Sequence, residues 1–281
     1  MSFSFSPLLE QLTDHSPALV VEPSYQEYCV RHGFAPGRAP TRISVDHYTS
    51  LPKELHEAHA MVLRLGGPAS RAGFALVRVQ NQLRSFFLFD DDAFAGAPAE
   101  VFLSQARFDQ LMPFFVTQAK SEKGLVNLAI ASGALSRALR LDNQAPLSAP
   151  AHAQSTFTFG SVAHEQLPEP RQEDYKGQVE IDAVLCAQRE GRAALFVLEA
   201  KRDGSDRSLA KHKIAYAIWG LRSRLKTPAL DVIGVYLKVG SREDGIHFRI
   251  AEYRLPDKGE CLASLERSAA PSHLVLPHLH I

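Results

Sequence analysis

The sequence predicts an α/β fold, an α+β mixed sheet flanked by helices and preceded by a β-rich N-terminal region. Three observations carry this. QVEIDAVLCA (178–187) and AALFVLEAK (193–201) are apolar runs bounded by turn residues, as strands bound for an interior are. SLAKHKIAYAIWGLRSRL (208–225) repeats apolar residues at helical spacing, and LDVIGVYLKV (230–239) follows it as a buried strand, the pattern of a right-handed crossover. Upstream, AHAMVLRLG, GFALVRVQ and LRSFFLFD read as three strands of an antiparallel sheet.

The remaining elements follow in chain order. Proline and glycine punctuate HGFAPGRAP, LGGPASRAG, FAGAPAE and QAPLSAPAHAQS; the last, near Gln144 to Ser155, is the best linker candidate. PAEVFLSQARFDQLMPFFVTQAK reads as helical, and a second helix begins after Ser121, a hydroxyl placed to cap it. IHFRIAEYRL is a further strand, and HLVLPHLHI a terminal strand or tail in preference to a zinc site. The expected division is a β-rich region over residues 1–115, recognising a target or partner or elaborating the same domain, and a second domain over 116–281.

Composition narrows the class. Of 281 residues 45% are apolar, enough for a substantial core without staples, and 31 Lys plus Arg balance 31 Asp plus Glu, so bulk charge names no partner. Cys29, Cys186 and Cys261 form no CxxC pair and fit free thiols in a reducing compartment. The N-terminus lacks the pattern of a secretory leader and no run is long enough to span a membrane, so a cytoplasmic location is expected.

The chemistry concentrates in one hairpin. If REGR closes a two-residue turn with Arg189 opposite Arg192, then Asp182 lies opposite Glu199 and Glu180 opposite Lys201, all four on one face. Ile181, Ala183, Leu185, Phe196, Leu198 and Ala200 then form the other face, toward the core. Two opposed carboxylates repel, so the fold must supply positive charge or raise a pKa, and relieving that repulsion by an amide substitution should not destabilise the chain. Lys201 supplies part of the charge. A divalent cation would supply more, and Mg²⁺ prefers such oxygen ligands.

Asp182, sixteen intervening residues, then Glu199-Ala200-Lys201 at the end of an apolar strand resembles the core motif of the PD-(D/E)XK nuclease superfamily. The resemblance covers roughly Ser121 to Val239 and implies a restriction-endonuclease-like α/β/α core of helix, strand, strand, helix, strand. It implies Asp182 and Glu199 as metal ligands, the Ala200 carbonyl as a third, and Lys201 as the group that positions or activates a water. Glu122 matches an acid that some branches place on the preceding helix, and Glu180 an accessory acid. Asp182 is preceded by Ile181 where the motif has proline.

The implied function is a Mg²⁺-dependent nuclease, with Mn²⁺ able to substitute, acting on DNA in restriction, defence or repair. The alternative is a catalytically inactive nucleic-acid-binding or interaction module on the same fold. An unrelated salt-bridged hairpin with a solvated face would explain the same charges, but Val184, Cys186, Leu195 and Val197 continue that face as apolar residues. From Lys201 to Lys226 eight basic residues meet two acidic ones, and Lys211, Lys213, Arg222 and Lys226 are candidates to contact a phosphate backbone, or an ordinary solvated helix face. FDDDAF (89–94) reads as a solvated turn or cap in preference to a metal cluster. The expected partner is nucleic acid, no membrane is expected, and a homodimer stays open.

Overall fold

The turn at Glu190-Gly191 sets the register of the central hairpin. Both residues are left-handed, φ 54° and 71°, the two-residue type I′ geometry that matches strand twist. Asp142 compensates the strain at Glu190 by accepting both turn N–H groups, at 2.7 and 2.8 Å. Arg189 therefore pairs with Arg192 and Ala183 with Leu198, as the sequence register requires.

The computed structural model describes residues 2–12, 18–35, 37, 40–67, 72–117, 121–143, 151–167, 173–204, 206–226 and 230–278. Its strands are β1 (Ala18–Glu22), β2 (Ala60–Gly66), β3 (Gly73–Arg78), β4 (Phe87–Phe89), β5 (Ala99–Val101), β6 (Ala151–Ser161), β7 (Glu173–Arg189), β8 (Arg192–Arg202), β9 (Ser208–Ala210), β10 (Asp231–Arg242), β11 (Gly245–Arg254), β12 (Glu266–Arg267) and β13 (Ser272–Leu276). The helices are α1 (Ser6–Leu9), α2 (Tyr25–Arg31), α3 (Pro40–Ile43), α4 (Lys53–Glu57), α5 (Asp90–Ala93), α6 (Phe108–Val116), α7 (Glu122–Ala131), α8 (Ala134–Ala138) and α9 (His212–Arg224). Among the described residues no helix is long and apolar enough to cross a membrane.

One mixed sheet runs in the order β1-β3-β2-β7-β8-β10-β11-β13-β5, with β6 added to β7 and β12 to β11. β7 and β8 are antiparallel, whereas β8 and β10 are parallel and joined through α9. The N-terminal strands extend this same sheet: β2 meets β7 at Gly66, whose φ of 90° and lack of a side chain let it lie against the Lys176 carbonyl.

Helices cover both faces. Ile214, Ile218 and Trp219 of α9 pack over Phe157, Val197, Val232 and Tyr236. Val126, Ala129 and Ile130 of α7 and Leu135 of α8 pack over Leu185, Phe196, Leu198 and Leu237 on the other side. Close approach of α9 depends on two glycines. A Cβ on Gly220 would fall 2.8 Å from the Phe157 ring, and one on Gly234 would fall 2.3 Å from Ile214 Cγ2. Ser121 caps α7 as expected, accepting from the Gly124 N–H at 3.1 Å.

Several expectations are corrected. LRSFFLFD opens with a 3₁₀ turn, Leu83–Phe86, and its strand leaves the N-terminal hairpin to pair with β9. That pairing takes Ser208–Ala210 out of the expected helix, which starts at His212. Among the described residues of 98–117, β5 and α6 are the elements that form. Of the linker candidate, 144–150 lie outside the described residues, and 151–155 open strand β6, where Phe157 and Phe159 alternate inward from Thr156 and Thr158. Ile181 packs in the α9 layer and not with Ala183 and Leu185, because the β6/β7 register shifts between Ala151 and Ala153 and alternation slips at this point.

The triple aspartate is not a solvated turn throughout. Asp90 is buried and paired with the equally buried Lys238, and it accepts from Tyr236 Oη at 3.0 Å. Lys238 also donates to the Asp206 carbonyl, tying β10 to the segment before β9. Nor do the basic residues form a free stripe. Lys211 is buried with its Nζ 2.5 Å from the Ala263 carbonyl, and burial pushes its pKa down to about 8. Arg222 is paired with Glu260 at 2.7 Å, and Lys226 is exposed beyond the helix end.

Two outcomes test this packing. Lys238→Met should lower stability in urea denaturation by about 3–5 kcal/mol, since Asp90 is left buried without its cation, and adding Asp90→Leu should recover part of the loss. Lys211 binds fewer protons folded than unfolded between its native pKa of about 8 and its ordinary value of 10.5, so its contribution to stability rises with pH across that window. The stability of Lys211→Met relative to the wild type should therefore be highest at pH 7 and shrink toward pH 10.

Candidate functional site

The site forms where β7 parts from β8. Backbone pairing between them ends at Ala183 and Leu198, whereas β6, on the other edge of β7, stays paired from Val184 back to the start of β7. The Asp182 carboxylate bridges the opening, its Oδ2 accepting the Ala200 N–H at 2.8 Å. One strand over, Glu199 and Lys201 continue the face that Val197 presents to the α9 layer. Cover by α9 explains why that face is apolar at Val184, Leu195 and Val197, although Cys186 is exposed. The face is not solvated: the Glu199 side chain is 6% exposed and that of Lys201 15%.

Burial obliges Glu199 to find cations, and it has two. Its Oε1 lies 2.8 Å from Lys201 Nζ and 3.8 Å from Lys213 Nζ, the latter delivered by the first turn of α9. Lys213 continues to Asp46 Oδ1 at 3.4 Å, and Lys201 to Glu122 Oε1 at 3.7 Å. Charges thus alternate in one connected chain, Asp46, Lys213, Glu199, Lys201, Glu122, with Asp182 alongside.

Burial pushes the Glu199 carboxyl up to about 7, against the pull of Lys213 and Lys201 and with the help of the Asp182 charge. Burial works the other way on Lys201 and Lys213 and is the largest single influence, yet the carboxylates around them, Glu199 first with Glu122 and Asp182 at Lys201 and Asp46 at Lys213, together outweigh it and hold both ammoniums above their usual range. The two directions describe one state above neutral pH: an ionised Glu199 between protonated lysines. Burial also opposes ionisation of Asp46, but Lys213, His212 and Lys201 bring its pKa below the usual carboxylate value.

Two cavities flank these groups. The larger, about 530 Å³, is lined by Asp46, His47, Arg64, Glu180, His212 and Lys213 among others. The smaller, about 300 Å³, is lined by His47, Glu122, Lys201, Asp203 and Asp206. His47 serves both walls, held by a 2.6 Å contact from Nδ1 to the Ser208 carbonyl.

Of the residues singled out in the sequence, Asp182, Glu199, Ala200, Lys201 and Glu122 are brought together. Glu180 stands exposed on the wall of the larger cavity. Lys213 joins the site as a partner of Glu199 and not as a surface phosphate contact, whereas Lys211, Arg222 and Lys226 stay out of it. Among the described residues no group of three or more His, Cys, Asp or Glu side chains is placed to hold a metal ion, so Glu122 does not complete such a set with Asp182 and Glu199. The hard-oxygen donors suited to Mg²⁺ are the Asp182 and Glu199 carboxylates with the Ala200 carbonyl. Sequence reasoning missed Asp46 and His47. They lie in the irregular stretch SVDHYTS, which carries no periodicity, and only tertiary folding brings them here.

Residues 94–270 match a family described as a domain of unknown function, DUF6997. No curated protein and no solved structure matches the chain. The matched span runs from β5 through β12 and holds Glu122, Asp182, Glu199, Lys201 and Lys213, while Asp46 and His47 precede it. With more than half of its residues inside that match, the chain belongs to the DUF6997 family.

Proposed function

We propose that the protein is a metal-dependent nuclease that hydrolyses phosphodiester bonds of nucleic acid, with DNA as the preferred substrate. The observation that carries this reading is the buried Glu199 between two ammoniums, beside an Asp182 carboxylate lodged where two strands part. A buried carboxylate whose two lysine partners each line a cavity is more than the core requires. The order α7, β7, β8, α9, β10, with β8 parallel to β10, supports a restriction-endonuclease-like core, β6 being added outside the hairpin.

On this reading Asp182, Glu199 and the Ala200 carbonyl hold Mg²⁺, or Mn²⁺ in its place. The cation, when bound, neutralises phosphate charge and acidifies a water. Lys201 stays an ammonium, because Glu199 holds its proton, so it acts as a donor that orients a water or a phosphate oxygen and not as a base. Lys213 keeps Glu199 in place and limits the cost of its charge. Glu122 restrains Lys201 from the solvent side.

One observation favours the second reading, a binding module without catalysis: Glu199 is already paired with two lysines. Cleavage decides between them. Plasmid, linear duplex and single-stranded DNA and RNA are incubated with Mg²⁺ or with EDTA. Asp182→Asn, Glu199→Gln and Lys201→Met should each lower Mg²⁺-dependent cleavage by about 10²-fold or more. Salt-dependent binding without cleavage by the wild type would favour the binding module.

Stability gives a second test. Glu199→Gln leaves Lys201 and Lys213 facing one another without their shared anion, so it should lower the Tm in EDTA, opposite to what carboxylate repulsion alone predicts. Added Mg²⁺ should raise the Tm of the wild type and leave that of Asp182→Asn unchanged.

A further inference from the structure

The larger cavity has features that the carboxylate site does not use. Arg64, on β2, lines it, has no ion-pair partner among the described residues, and its buried Nε has no hydrogen-bond partner. His212, at the start of α9, also lines it, and its buried Nδ1 is likewise unpartnered. Burial, with Lys213 adding to it, drives the His212 pKa down to about 4 against the pull of Asp46, so the ring is neutral and can offer a donor or an acceptor. A buried polar atom without a partner is costly, and two residues that line one cavity each carry such an atom, which points to a ligand for that cavity.

The rest of the lining defines that ligand. Tyr175 and Tyr216 form an aromatic wall, their hydroxyls already donated to the Gln178 and Arg64 carbonyls, and the His212 ring lies 5.5 Å from that of Tyr216. Thr41, Ser44 and the Gln178 side chain add polar groups near the mouth. Of the charged residues, Asp46 and Lys213 are paired with each other, Glu180 is exposed, and Arg64 is left for an anion. A volume of about 530 Å³ is enough for one nucleotide, whose base can enter a pocket only after leaving its complement. The cavity also shares Asp46 and Lys213 with the carboxylate site, so its occupant would lie next to the bond being cut.

We propose that this cavity receives one unpaired nucleotide of the substrate strand, its phosphate on Arg64 and the edge of its base on His212, which makes the protein selective for single-stranded or frayed nucleic acid over intact duplex. The inference rests on the nuclease reading for the identity of its ligand, but it is tested without cleavage. Fluorescein-labelled oligodeoxynucleotide, single-stranded or annealed to its complement, is titrated in EDTA and binding followed by anisotropy. The wild type should bind the single strand about tenfold or more tightly than the duplex. Arg64→Met, which keeps the aliphatic stem, should weaken single-strand binding by about tenfold and so remove that preference. Gln178→Trp, at an exposed strand position that tolerates an aromatic residue, should do the same by blocking the mouth, and it decides the matter if Arg64→Met does not fold.

Equal or tighter binding of duplex, or a preference that survives both substitutions, overturns the proposal. The two readings fail separately. Asp182-dependent cleavage of duplex with no strand preference leaves the nuclease and removes the nucleotide pocket. An Arg64-dependent preference without Mg²⁺-dependent cleavage does the reverse, and binding of neither form removes both.

Discussion

A carboxylate placed in the interior needs cations close by, and the two that reach Glu199 come from different parts of the chain. Lys201 is two residues along the same strand, so strand alternation alone delivers it. Lys213 arrives only if α9 begins at His212 and lies tightly across the sheet. The start is fixed by β9, which removes Ser208–Ala210 from the helix by pairing with β4. The tight approach is fixed by Gly220 and Gly234, where any side chain would strike Phe157 or Ile214. A local charge requirement thus constrains the helix layer, the small β4/β9 ladder and the composition of β10.

The same dependence reaches the N-terminal residues. Asp46 holds the far side of Lys213, and His47 is held by the Ser208 carbonyl of β9. Lys238 supports this region from below, since its ammonium joins Asp90 at the end of β4 to the Asp206 carbonyl before β9. In the parallel register Lys238 sits beside Lys201, but its side chain is wholly buried and serves the framework. Two lysines at one level of neighbouring strands have unlike roles because one meets an aspartate inside the core and the other, itself lining a cavity, meets a buried glutamate.

Where local signals were strong the sequence was readable. The apolar runs of β7, β8, β10 and β11, the Ser121 cap and the Glu190-Gly191 turn depend on nearby residues, and the hairpin register followed from them as far as Ala183 and Leu198; the expected pairs Asp182/Glu199 and Glu180/Lys201 do not form, because the strands part there. What failed depended on partners far away in the chain. LRSFFLFD had the composition of a sheet strand, yet its partner is β9, more than a hundred residues on. The alternation STFTF was a legible strand signal in β6, obscured by the proline-rich stretch before it. Lys211 and Lys213 look alike in sequence, and only the packing of α9 buries the first against the Ala263 carbonyl while turning the second to Glu199. Ile181 escaped strict alternation because a register slip at the parting of β7 and β8 cannot be seen from composition.

That slip bears on chemistry as well as on topology. Had β7 and β8 stayed paired through Asp182, the Ala200 N–H would have gone to a backbone carbonyl and the aspartate would have pointed simply away from the sheet. With the strands parted, the side chain takes the place of the missing backbone acceptor and its charge is held against β8. Fully ionised, the connected set then holds four carboxylates, Asp46, Glu122, Asp182 and Glu199, against two ammoniums, Lys201 and Lys213, an excess of two negative charges. Burial raises the pKa of Glu199, with the Asp182 charge adding to it against the pull of the two lysines, and a proton taken up there also relieves part of that excess. A divalent cation between Asp182 and Glu199 would relieve all of it without neutralising either carboxylate, which is the electrostatic argument behind the proposed metal-dependent reaction.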